Sequence, residues 1–84
     1  MENILNDIKK ERDRQDEKWG LQEHHPCVWL TILSEEIGEI AKEICDSGFK
    51  TDNLGDNYRN ELIQSAAVLV AMIQNFDNEK EKNK

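Results

Sequence analysis

The run LIQSAAVLVAMI, residues 62–73, constrains the fold of this 84-residue chain more than any other segment. Read as a helix, it is apolar on nearly every side, and a helix of that kind is normally buried all round. The rest of the chain offers only two further helical segments, which are too few to enclose it. We therefore expect this helix to pack within the chain and also against a second subunit.

The remaining sequence has helical periodicity and no alternating β-branched run. It predicts an all-α fold with three helices: residues 2–18, 27–46 and 56–76. Gly20 and Gly48 are expected to end the first two helices. Pro26 suits the first turn of the second helix, and Asp56 is a plausible N-cap for the third.

About ten residues join the second and third helices, which favours an antiparallel helical hairpin with the N-terminal helix beside it. One domain, residues 1–76, is expected, because no linker divides so short a chain. The charged tail, residues 77–84, is expected to fray. Because the third helix is so apolar, the expected assembly is a multi-subunit helical bundle, either a homodimer or a homotetramer.

The net charge of -7 limits the classes of partner. It argues against binding a nucleic-acid polymer or an anionic membrane, but it allows a single nucleotide that arrives with a metal ion. The chain has no apolar run long enough to span a membrane and no signal-peptide pattern at its start, so we expect a cytoplasmic protein. Cys27 and Cys45 are then ordinary reduced cysteines.

The segment LSEEIGEIAKE, residues 33–43, carries carboxylates beside its own apolar stripe. Glu36 and Glu39 are one turn apart, and the expected hairpin brings Glu39 level with Glu61 and Glu36 level with Gln64. Glu61 lies on the most apolar helix with no Lys or Arg one turn after it. A buried carboxylate needs a partner, and hard oxygen ligands suit Mg²⁺, Mn²⁺ or Ca²⁺ rather than Zn²⁺. The plainer alternative is a solvated, charged helix face.

Two further acids on the second helix are candidates for orienting an attacking water. Glu43 lies on the same face as the expected metal ligands, whereas Glu35 points about 100° away from Glu36. Glu43 is therefore the better geometric candidate, and Glu35 can instead hold a basic residue. His24, His25 and Cys27 do not predict a zinc site, because no second cluster completes one.

The motifs EEIGE (35–39) and ELIQ (61–64) together resemble the EExxE…ExxD signature of the all-α nucleoside triphosphate pyrophosphohydrolases. ERDRQDEKWGLQEHH, WLTILSEEIGE and RNELIQSAAVLVAMI are similar to small MazG-like proteins of that superfamily. The resemblance covers about residues 8–76. It implies hydrolysis of a nucleoside triphosphate to the monophosphate and pyrophosphate with Mg²⁺, for which Mn²⁺ can substitute. It also implies that Glu36, Glu39 and Glu61 are metal ligands.

The fourth ligand position departs from that signature, because Gln64 stands where Asp is expected. An amide oxygen can coordinate Mg²⁺ but adds no charge. Gln64 is therefore a tolerated variant, a residue that has turned to the substrate, or a sign of weakened catalysis. The last case gives the alternative function: a metal-binding, nucleotide-binding or helical interaction protein of the same fold without turnover.

The substrate side is predicted from polar, cationic and aromatic residues around the first helix: Arg12, Gln15, Lys18, Trp19, Gln22, His24 and Arg59. Arginine and lysine suit phosphate, Trp19 can stack on a base, and Gln22 or His24 can bind the edge of the base. Arg12 can equally pair with neighbouring acids on its own helix, and Trp19 is as consistent with packing as with stacking. Trp29, on the apolar stripe, is expected in the core.

Overall fold

The computed structural model describes residues 1–82 and consists of helices joined by short connections. The three α-helices are α1 (Glu2–Trp19), α2 (Pro26–Asp46) and α3 (Asp56–Lys82). One turn of 3-10 helix, Thr51–Asn53, lies between α2 and α3. Residues 1–82 contain no strand, so the predicted all-α class is confirmed.

α3 is the centre of the fold. Both α1 and α2 pack against it, whereas the backbones of α1 and α2 do not approach each other. The core is formed by Trp29 of α2 with Val68 and Ala71 of α3, and Ile32 and Met72 are among the apolar residues that surround it. This arrangement leaves space above α3 between the two outer helices.

The ends of α1 and α2 follow the predictions. Gly20 has φ +75° directly after α1, and Gly48 has φ +69° after α2, a region that favours glycine. After α2, the Gly48 N–H donates to the Cys45 carbonyl at 3.0 Å and the Phe49 N–H donates to the Ile44 carbonyl at 3.3 Å. These two hydrogen bonds form a Schellman motif and satisfy carbonyls at the helix end.

The helix starts agree with the sequence in one case and differ in the other. Pro26 is the first residue of α2, and the preceding His25 caps that helix because its Nδ1 accepts from the Cys27 N–H at 3.1 Å. Asp56, expected as the N-cap, is the first residue of α3 instead. The carbonyl of the residue before it, Gly55, accepts from the Arg59 N–H at 3.3 Å.

The C-terminal end of α3 lies well beyond the predicted end at residue 76. The segment 77–82, which we expected to fray, is helical through Lys82, and residues 83–84 lie outside the described chain. Lys82 Nζ lies 3.2 Å from Glu23 Oε1 and 3.8 Å from Glu79 Oε1, so it ties the helix end to the α1–α2 connection. Cations in the last turn also complement the helix dipole, which the sequence-based prediction of fraying neglected.

Within one chain, α3 is not buried on every side. Leu62, Leu69, Ile73 and Phe76 remain 40–61% exposed and follow one face of the helix. Ile37 on α2 is also exposed. No helix within residues 1–82 combines the length and apolar character needed to cross a membrane.

Candidate functional site

The predicted acidic residues lie together where α2 faces α3. Burial raises the pKa of Glu36, and the negative charges of Glu61 and Glu39 raise it further. Burial likewise raises the pKa of Glu61, followed by the charges of Glu39 and Glu43. The charges of these four carboxylates from two helices therefore influence one another.

Two of these carboxylates have an oxygen without a partner. Glu36 Oε2 and Glu61 Oε2 are buried and make no hydrogen bond within residues 1–82. A buried polar atom in that state costs free energy, and a carboxylate costs more than a neutral group. A divalent cation would supply the missing interaction, and carboxylate and amide oxygens are the ligands that Mg²⁺ or Mn²⁺ accepts.

The acids do not form a finished coordination shell. No three His, Cys, Asp or Glu side chains in the described part of the chain are grouped closely enough to hold a metal ion. The donor chemistry and the two unpartnered oxygens fit a hard cation. The assignment of Glu36, Glu39, Glu61 and Gln64 as its ligands stays a prediction.

A cavity of about 370 Å³ opens beside Glu36. All three helices and the α1–α2 connection contribute to its wall. From the predicted substrate set it contains Gln15, Lys18, Trp19 and Gln22, and from the predicted catalytic and metal set it contains Glu35, Glu36 and Gln64. The structure therefore places four of the seven predicted substrate residues and three of the six predicted catalytic and metal residues around one cavity.

Trp19 and Lys18 are two exposed residues of the cavity wall. The Trp19 side chain is 61% exposed, and the Lys18 Nζ lies 4.8 Å from the centroid of its ring, a cation–π contact. An aromatic face and an ammonium at one mouth suit a ligand that has a flat ring and negative charge. The sequence left two interpretations of Trp19 open, packing and stacking on a base. The exposed position of its side chain favours stacking, because a ligand can reach the ring.

Trp29 lies in the core, as predicted, and its position depends on a residue that the sequence did not single out. Its Nε1 donates to Asn75 Oδ1 at 2.7 Å, and the His24 backbone N–H donates to the same oxygen at 2.9 Å. The His24 ring packs edge-on against Trp29 with centroids 4.9 Å apart. The only sequence signal for Asn75 was a polar residue close after the apolar run of α3.

His24 is not brought to the cavity beside Glu36. It lines a different, mainly apolar cavity of about 380 Å³ together with Met72 and Phe76. Trp29 contributes to both cavities and separates them. The predicted contact between His24 and a substrate therefore has no support from the geometry of this site.

Arg14, and not the predicted Arg12, is the arginine of α1 that lines the cavity. Arg12 pairs with Asp16 and donates to Gln15 Oε1 at 2.7 Å, and it does not line the cavity. Arg14, absent from the predicted set, does line it, and its Nη2 lies 2.6 Å from Glu11 Oε2. The Glu11 carboxylate raises the pKa of Arg14, and Glu36 adds to that effect. The sequence signal for Arg14 was its position one turn before Lys18.

The remaining candidates lie outside this cavity. Arg59 lines a second cavity and pairs with Asp7 at 2.8 Å. Glu39, Glu43 and Glu61 do not line the first cavity, and the charges of Glu39 and Glu43 raise the pKa of Glu61. Between the two predicted water-orienting acids, the structure thus places Glu35 in the cavity wall and Glu43 near Glu61.

No family model, no curated protein and no solved structure matches this chain.

Proposed function

We propose that this protein is a Mg²⁺-dependent nucleoside triphosphate pyrophosphohydrolase, which converts a ribo- or deoxyribonucleoside triphosphate to the monophosphate and pyrophosphate. The observation that carries the proposal is the pair of buried oxygens of Glu36 and Glu61 without a hydrogen-bond partner within residues 1–82, together with a cavity that Glu36 lines along with Lys18 and Trp19. The carboxylates need a divalent cation, and they lie close to a lysine ammonium and an aromatic ring. This combination suits a ligand that has both phosphates and a base. The resemblance of EEIGE and ELIQ to the signature of this enzyme class adds support.

Glu36, Glu39 and Glu61 would hold Mg²⁺ or Mn²⁺, with the Gln64 amide oxygen as a fourth ligand. When bound, the cation would neutralise charge on phosphate oxygens and favour ionisation of a water. The same carboxylates that disfavour their own ionisation in the free protein would then become paired.

Residues of the chain itself would position the substrate and accept the proton that the attacking water releases. Glu35 in the cavity wall would orient a water and accept its proton, with Glu43 as the other candidate. The water oxygen bonds to phosphorus at the α–β phosphoanhydride, the bond to the bridging oxygen breaks, and pyrophosphate leaves. Lys18 and Arg14 would bind phosphate oxygens, and Trp19 and Gln22 would contact the base.

We further infer an antiparallel α2–α3 hairpin in a homodimer or homotetramer that acts on the cytoplasmic nucleotide pool. The pairing of residues supports the hairpin: Trp29 near the start of α2 clusters with Ala71 just past the middle of α3, whereas Glu36 midway along α2 shares a cavity with Gln64 in the first third of α3. The exposed apolar face of α3 that includes Leu69 and Ile73 supports the assembly, since contiguous exposed apolar patches mark association surfaces.

A second function is favoured by one observation, the uncharged Gln64 in the cavity wall where the enzyme signature has an acid. Removal of one negative charge weakens metal binding, because affinity depends on the number of charged ligands. The protein would then bind a metal ion or a nucleotide, or act as a helical interaction module, without releasing product.

The test is product analysis after incubation with a panel of canonical and modified ribo- and deoxyribonucleoside triphosphates, with Mg²⁺, with Mn²⁺ and with chelator. We expect monophosphate and pyrophosphate in equal amounts, lost with chelator and reduced at least about 100-fold by Glu39→Ala. Glu17→Ala, an exposed acid on α1, is the matched control and should retain activity. No product from the folded wild-type protein on any nucleotide would reject the enzyme, and ligand-dependent melting would then select the binding function.

A further inference from the structure

A second cavity of about 320 Å³ adjoins the one beside Glu36. It lies between α1 and the first turns of α3, and its polar wall consists of Asp7, Lys10, Glu11, Arg14, Arg59 and Asn60. Arg14 lines both cavities, so its guanidinium marks the boundary between them. The two cavities therefore share one cationic side chain.

The charges around this cavity stand out in an acidic protein. Lys10, Arg14 and Arg59 are three of only eleven Lys and Arg residues in a chain with a net charge of -7. Asp7 pairs with Arg59 at 2.8 Å and Glu11 pairs with Arg14 at 2.6 Å. Lys10 has no ion pair among residues 1–82, so the cavity keeps one uncompensated positive charge.

The cavity also has hydrogen-bond donors that the protein does not use. Arg14 donates to Glu11 from its Nε and one Nη, and one Nη of Arg59 lies 2.8 Å from Asp7 Oδ2 in an ion pair. Each guanidinium has five N–H donors, so both retain donors after these ion pairs. The ammonium of Lys10 and the amide of Asn60 add more, and donors of this kind are strongest toward phosphate oxygens.

We propose that this second cavity is an oxyanion subsite that receives the pyrophosphate end of a nucleoside triphosphate. The proposal rests on the proposed function, because it continues the same substrate from the first cavity. The base and sugar would lie near Trp19, the cleaved phosphoanhydride beside Glu36, and the two terminal phosphates against Lys10 and Arg59. A nucleoside monophosphate would not reach the subsite, so the cavity would select triphosphates over the product.

The direct test measures binding of inorganic pyrophosphate by calorimetry at low ionic strength, with chelator present to remove the contribution of metal ions. Lys10→Gln removes the unpaired charge, whereas Lys9→Gln removes an exposed charge on the same helix outside the cavity wall. We expect Lys10→Gln to weaken pyrophosphate affinity roughly fivefold to tenfold and Lys9→Gln to leave it nearly unchanged. Arg59→Gln should weaken it as well.

An equal effect of the two lysine variants, or no binding of pyrophosphate to the wild-type protein, would overturn the subsite. The folding of each variant is checked by its circular dichroism spectrum and melting temperature. Because the assay needs no turnover, specific loss with Lys10→Gln would support the subsite even if the protein proved not to be an enzyme.

A second arm compares ligands of different length. If the protein is an enzyme, Lys10→Gln should raise KM for the triphosphate several-fold while the inhibition constant of the monophosphate product stays unchanged. Turnover with the same KM in Lys10→Gln and Lys9→Gln would retain the proposed function and reject the subsite. The two proposals therefore fail by different results.

Discussion

Glu11 on α1 and Glu36 on α2 are both half-buried glutamates on helices that face α3, yet their surroundings differ. Glu11 accepts hydrogen bonds from Arg14 and from Gln15, and the bond from Arg14 is the main cause of its lowered pKa. Glu36 keeps one buried oxygen without a partner, and burial together with neighbouring acids raises its pKa.

The difference separates two uses of charge in one small protein. On α1, acids and arginines at helical spacing neutralise one another, so the charges support the helix itself. On the α2–α3 face, the chain brings acids together, and no cation within residues 1–82 binds the free oxygens of Glu36 and Glu61. Such an arrangement gives up stability in the free protein, and strongly perturbed carboxylates of this kind mark candidate functional sites.

The largest effect is expected from Gln64→Asp, which adds a carboxylate to the acidic α2–α3 face. A fourth negative charge at the proposed metal site should increase Mg²⁺ affinity about tenfold, because ligand charge governs the affinity of such sites. The measurement is a metal titration followed by the melting temperature or by calorimetry.

Gln74→Asp is the matched control, since Gln74 is exposed on the same helix and lines neither cavity described above. It should leave Mg²⁺ affinity unchanged. Equal gains in both variants would mean that general surface charge, rather than the acidic face, attracts the cation.

The next effect in size concerns the pH dependence of stability without metal. The folded-state pKa of Glu36 lies above its ordinary value of 4.5, so the folded state binds more protons than the unfolded state in that range. Its contribution to stability is therefore full at low pH and is lost as pH rises through the folded pKa. We expect metal-free Glu36→Gln to melt at a higher temperature than the wild-type protein at neutral pH and at a similar temperature below about pH 4.5.

Mg²⁺ should reduce the difference in melting temperature between Glu36→Gln and the wild-type protein at neutral pH, because a bound cation favours the ionised wild-type carboxylate. Glu17→Gln, an exposed acid on α1, is the comparison and should not raise the melting temperature in this way. Glu11 acts in the opposite direction, because its pKa is lowered and its stabilising effect is lost as pH falls. A Glu36→Gln variant less stable than wild type at neutral pH would show that the ionised Glu36 carboxylate does not destabilise the metal-free folded protein.

The smallest effect is expected on the paired side. Asp16→Asn removes the charge that pairs with Arg12 on α1. Exposed pairs within one helix contribute little, so the free energy of unfolding should fall by less than about 1 kcal/mol, as measured by urea denaturation. A larger loss would show that the α1 charges hold the tertiary structure as well as the helix.

The sequence alone predicted most of the fold and one side of the site. Apolar periodicity located all three helices, and Gly20, Gly48 and Pro26 marked three of their ends. The grouping of Glu36 with Glu61 also followed from spacing, because helix rise and a short connection fix which residues lie level. These features depend on local geometry, which the sequence encodes directly. The resemblance to a nucleotide hydrolase class, by contrast, supplied the proposed reaction.

Only the tertiary structure decided which side chains of α1 reach the cavity. Arg12 and Arg14 are two residues apart and so point about 200° from each other around the helix axis. The rotation of α1 against α3 places Arg14 between the two cavities and leaves Arg12 with its own helix partners. Asn75 is a similar case. Its side-chain oxygen accepts hydrogen bonds from Trp29, 46 residues away in the sequence, and from the backbone of His24, 51 residues away. Contacts of that kind arise from packing between helices, and the periodicity of any one helix contains no information about them.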